Sequence, residues 1–123
     1  MTKRLITALE NKYLDIIAHP TGRLINRRDP YVFDYNKVFA AAAENGKCLE
    51  ISSSPERLDL NYQLVRAAKK YNVKFTVDTD SHSPEQLNFM KFGVAMARKG
   101  WCTKEDIVNT LSFKELGKVF KKL

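Results

Sequence analysis

Histidine and cysteine are scarce here, two of each among 123 residues. Cys48 and Cys102 are far apart and neither belongs to a CxxC pair. That spacing excludes a zinc knuckle and leaves two free thiols as the expectation. No apolar run approaches the roughly 20 residues of a membrane span. The opening Met-Thr-Lys-Arg-Leu-Ile-Thr-Ala-Leu-Glu turns acidic too early for a signal peptide. A cytoplasmic chain with no membrane partner is expected. With five glycines and four prolines there is no linker, repeat or low-complexity stretch. Acidic residues are the minority, 14 against 21 lysines and arginines, a net charge of +7 and a pI near 9.5. This suits a polyanionic partner, although Lys69-Lys70 and the lysines of residues 118–122 fit a solvated face equally well.

What is present alternates between helical and strand patterns. Leu5, Ile6, Ala8 and Leu9 recur at helical spacing within residues 2–10. Residues 14–18 form an apolar run broken by Asp15, read as a strand buried on both faces. A long loop follows, and Asp34 is placed to cap a helix over residues 35–45 that ends at Gly46. Residues 48–51 read as a second strand. Asp59 is expected to cap a helix over residues 60–71, and residues 74–77 read as a third strand. Pro84 at a helix start, helical spacing over residues 92–98, and capping boxes at Thr103 and Ser112 predict a helical remainder running to the chain end. The expectation is one α/β unit over residues 1–123, with successive β-α units, parallel strands and a helical C-terminal tail.

Chemistry gathers where these strands end. His19 follows the first strand, Glu50 lies near the end of the second, and Asp80 and His82 leave the third. In parallel α/β architectures sites form at the carboxyl ends of the strands. Both histidines and two carboxylates on one rim predict a metal site, and mixed imidazole and carboxylate ligation suits Zn²⁺, Mn²⁺ or Fe²⁺. Glu50 inside an apolar strand needs a partner or a task. The loop of residues 21–30 holds Arg23, Arg27 and Arg28 beside His19. Forked guanidinium groups bind phosphate, so an anionic, phosphate-bearing substrate is expected.

An ordered series of blocks carries a resemblance: His19-Pro20-Thr21-Gly22-Arg23-Leu24, Leu49-Glu50-Ile51, Pro55-Glu56-Arg57-Leu58-Asp59-Leu60, Thr79-Asp80-Ser81-His82-Ser83-Pro84-Glu85-Gln86-Leu87, Gly93 to Ala97, and Gly100-Trp101. Together they resemble the C-terminal part of the PHP (polymerase and histidinol phosphatase) domain of family X DNA polymerases. The resemblance implies about half of a distorted (β/α)7 barrel whose rim binds divalent metal ions, Zn²⁺ or Mn²⁺, for phosphoester hydrolysis. In the complete proteins this means 3′ to 5′ exonuclease and DNA-end processing in repair. His19, Asp80 and His82 correspond to metal ligands with catalytic roles. Glu50 is expected beside them, orienting a ligand or water, and Arg23 at the substrate phosphate.

The blocks also depart from that pattern. The His-x-His motif and further ligands of a complete PHP domain are absent, which implies a portion of the domain whose N-terminal portion, or a second copy of this chain, completes the barrel. Two open sheet edges and weak or no phosphoesterase activity for the chain alone are the corresponding expectations. An inactive scaffold that binds DNA or a partner, and a small-molecule phosphatase of the histidinol phosphate type, are the alternatives.

Overall fold

The computed structural model describes residues 1–120. The order is α1 (Thr2–Leu9), β1 (Ile16–Ile17), α2 (Tyr35–Glu44), β2 (Cys48–Ser52), α3 (Tyr62–Lys69), β3 (Lys74–Asp78), a 3₁₀ helix Pro84–Phe89 running into α4 (Met90–Lys99), two 3₁₀ turns (Lys104–Asp106 and Val108–Thr110) and α5 (Phe113–Val119). The strands form one parallel sheet in the order β1-β2-β3. The alternating pattern therefore does specify parallel strands. The expected continuation of the last helix through residues 121–123 lies outside the described residues.

Local signals act where the sequence puts them. Asp34 accepts from Lys37 N at 3.1 Å to start α2, and Gly46 takes φ +61° just past its end. Thr103 and Ser112 both close capping boxes. Asp59 is different. Asn61 caps α3 instead, accepting from Leu64 N at 2.9 Å, while Asp59 turns inward and is fully buried.

The sheet has two unlike faces, as its two-residue period requires. Leu49 and Ile51 pair with Phe75 and Val77 on one face, which packs with Val38, Phe39 and Ala42 of α2, Val65 and Ala68 of α3 and Ala97 of α4 into a single core. Gly93 lets α4 close onto that face: a Cβ there would lie 2.0 Å from Ser53 Oγ and 2.7 Å from Val77 Cγ1. The other face is polar. Glu50 pairs with Thr76 and Ser52 with Asp78, and Glu50, Ser52 and Thr76 are buried.

The first strand is shorter and more open than expected. Only Ile16 and Ile17 pair with β2, and Ile16 is 38% exposed, so burial on both faces fails. The reason is competition for one edge. Cys48 N donates to Asp15 O, but farther along Ser52 N donates to Asp59 O and Leu60 N to Glu50 O. Residues 59 and 60 thus occupy the edge that a longer β1 would need, and the chain leaves the sheet at His19.

The opposite edge is not open either. Phe75 bridges Ile107 in parallel, and the Asn109 side chain accepts from Val77 N at 2.8 Å and donates to Val77 O at 3.0 Å. An amide side chain there completes the ladder as a strand would. Two open edges were expected, and β3 has this cover. Both cysteines are free, with Cys48 buried, and burial pushes each thiol up to about 11. Among the described residues no helix is long and apolar enough to cross a membrane.

Candidate functional site

The carboxyl ends of the three strands lie on one rim, and each contributes differently. β1 leads, two residues past its end, to His19, whose backbone sits at φ +31°. Its N–H donates to the Glu50 carboxylate, which joins the first rim loop to the second strand. Glu50 is buried on the polar face of the sheet. Burial pushes its carboxyl up to about 7, against the His19 N–H bond and with added repulsion from Asp78, Asp80 and Asp59. Glu50 does have a partner, as its place in a buried strand requires.

Asp59 fixes the next turn. Its Oδ2 accepts from Thr21 N and Gly22 N, each at 3.0 Å. Burial raises its pKa, opposed by bonds from Thr21 and Gly22 and by the positive charge of Arg23. Gly22, at φ +65°, has no room for a side chain, since a Cβ would come within 2.2 Å of the Tyr31 ring. The loop after His19 is therefore held by a buried carboxylate from the following β-α unit. Sequence reasoning read Asp59 as a cap and missed this. Its position between Leu58 and Leu60 is the signal that pointed inward.

Beyond β3, Asp80 takes the left-handed conformation at φ +51°. His82 Nδ1 is 2.7 Å from Asp80 O, and His82 N donates to Gln86 Oε1 at 2.7 Å. A carbonyl oxygen only accepts, so Nδ1 carries a proton, and in the neutral ring Nε2 is the nitrogen with the lone pair. Such a bond from the second ring nitrogen is how metal-ligating histidines are oriented. Asp80 and His82 line an open pocket with Ser54, Glu56, Arg57 and Gln86.

His19 does not line that pocket, and among the described residues no three His, Cys, Asp or Glu side chains gather closely enough to hold an ion. The structure thus brings Asp80 and His82 together and joins His19 to Glu50, as two separate pairs. The donor chemistry fits a divalent ion at the first pair, with further donors required to complete its shell. Ser52 Oγ and Thr76 Oγ1, buried on the polar face, have no hydrogen-bond partner among the described residues.

The arginines divide. Arg27 pairs with Glu56 at 2.9 Å on the surface, and Arg28 Nε donates to Gly22 O at 2.9 Å. Arg23, expected at the substrate, donates from Nε to Arg57 O and from Nη2 to Leu58 O, both at 2.6 Å.

Comparison with known proteins agrees with the blocks read from the sequence. The chain is 42% identical over 120 residues to the DNA polymerase/3′-5′ exonuclease PolX of Bacillus subtilis, an alignment covering 98% of this chain and 21% of PolX. A probable phosphatase of Thermoanaerobacter is 30% identical over 124 residues, covering 96% of this chain and 46% of the relative. One of Caldanaerobacter subterraneus is 33% identical over 87 residues, covering 66% and 32%. The chain thus spans about a fifth to a half of the length of these relatives. No family model matches it.

Proposed function

We propose, from its kinship with PolX and the probable phosphatases together with the blocks that resemble the PHP part of family X polymerases, that this chain is the C-terminal portion of a PHP-type metal-dependent phosphoesterase. In the complete protein it serves hydrolysis at DNA ends, in the cytoplasm. The observation that carries this reading is the Asp80 and His82 pair, with His82 Nδ1 donating to Asp80 O and Nε2 left uncommitted as the ring's ligating nitrogen.

In this reading Asp80 and His82 would hold a Zn²⁺ or Mn²⁺ ion, and His19, which the structure keeps in a separate pair with Glu50, would be its further ligand. When bound, such an ion supplies Lewis acidity toward a phosphoryl oxygen. Glu50 contributes by holding the His19 backbone, and Gln86 by holding that of His82. The polar face of Glu50, Ser52, Thr76 and Asp78, opposite the helices, is the inner wall of a distorted (β/α)7 barrel. Its remaining ligands and strands come from an N-terminal portion of the domain or from a second copy of this chain. Its buried unpartnered hydroxyls support that assignment.

The test is Zn²⁺ or Mn²⁺ binding that Asp80→Ala and His82→Ala remove. The phosphatase relatives favour a second reading in which the substrate is a small phosphomonoester. Comparing metal-dependent release from a DNA 3′ end with that from p-nitrophenyl phosphate, once the barrel is complete, separates the two.

A further inference from the structure

Arg23, of the loop after His19, and Arg57, which lines the Asp80, His82 pocket, spend their donors differently. Arg23 uses Nε and Nη2 on consecutive carbonyls, Arg57 O and Leu58 O, at 2.6 Å each. These bonds brace a turn that includes Leu58 at φ +42°, a conformation that costs a non-glycine residue energy and needs support. Arg57 makes one long bond, from Nη1 to Arg23 O at 3.3 Å. Among the described residues it has no ion-pair partner, because the adjacent Glu56 is taken by Arg27. Even so it is half-buried and lines the same pocket as Asp80 and His82.

A guanidinium offers five N–H donors in a planar fork matched to phosphate oxygens. A half-buried guanidinium that keeps most of them, in a pocket, is equipped for an anion from outside the chain. We propose that Arg57 is the anion anchor of this pocket, holding the phosphoryl oxygens of the ligand, and that Arg23 is a positioning residue that sets the Arg57 turn. The identity of the ligand as a substrate phosphate rests on the phosphoesterase reading. The anchor itself is measurable without metal or catalysis.

The experiment is titration of the metal-free chain with inorganic phosphate at constant ionic strength, followed by calorimetry and amide NMR, with chloride as control. Saturable binding is expected in the wild type. Arg57→Gln weakens it about ten- to a hundredfold, the loss of charge-assisted bonds to an anion, with an unchanged melting temperature. Arg23→Gln weakens binding and also lowers the melting temperature, because two loop carbonyls lose their donor. Should Arg57→Gln disturb folding, Arg57→Lys decides, with binding several-fold weaker than wild type at unchanged melting. A folded wild-type chain that does not bind phosphate overturns the proposal, and so does wild-type affinity in the deciding Arg57 variant. Metal binding is read in a separate titration, so failure of the phosphoesterase reading and failure of the anchor appear in different experiments.

Discussion

The carboxylate of Glu50 takes the backbone N–H of His19, 31 residues away in sequence, so the first rim loop hangs from the second strand. That carboxylate lies on the buried polar face, and its ordinary pKa of 4.5 rises to about 7. The sign of the pH dependence follows. Between these two values the folded chain holds a proton that the unfolded chain has lost, so this group adds stability as pH falls from about 7 toward 4.5 and adds none below. Glu50→Gln is expected to flatten that part of the profile in urea unfolding measured from pH 8 to pH 5. An unchanged slope contradicts the assignment.

Asp59 is the buried post of the same loop. Asp59→Ala leaves Thr21 N and Gly22 N without their acceptor and is expected to cost roughly 2–4 kcal/mol, the range for orphaning two buried donors. Chemical denaturation measures it. Asp59→Asn, which retains an acceptor oxygen, should cost less.

Gly93 sets two effects against each other. Alanine is favoured over glycine in a helix by about 1 kcal/mol, but a Cβ there meets Ser53 Oγ at 2.0 Å. The contact wins, so Gly93→Ala lowers the melting temperature, and adding Ser53→Ala recovers part of the loss. A rise in the single variant shows that α4 can move off the sheet freely.

Asn109 closes the β3 edge through both bonds of its amide to Val77. Asn109→Ala is expected to cost about 1–2 kcal/mol and to speed hydrogen exchange at the Val77 amide more than at its neighbours. Exchange that is unchanged there contradicts the edge assignment.

The readable and unreadable parts of this chain differ in the range of the interactions involved. The caps at Asp34, Thr103 and Ser112 and the strand Lys74–Asp78 follow from a few adjacent residues, and all are present. Asp80 and His82 share a pocket because they lie two positions apart just past the end of a strand. What local pattern could not supply is competition at a distance. The run of residues 14–18 has strand character, yet Asp59 and Leu60 take its edge. Asp59 has a cap's chemistry and spends it on Thr21 and Gly22. Arg23 has a phosphate binder's fork and two of its donors brace the chain itself. In each case the deciding partner lies more than 30 residues away.

The central claim is that Asp80, His82 and His19 are metal ligands, and calorimetric titration of the metal-stripped chain with Zn²⁺ and Mn²⁺ tests it most directly. Binding is expected in the wild type, lost in Asp80→Ala and His82→Ala and weakened in His19→Ala, with the fold verified by circular dichroism. A folded chain that binds neither ion, or variants that bind as the wild type does, contradicts it.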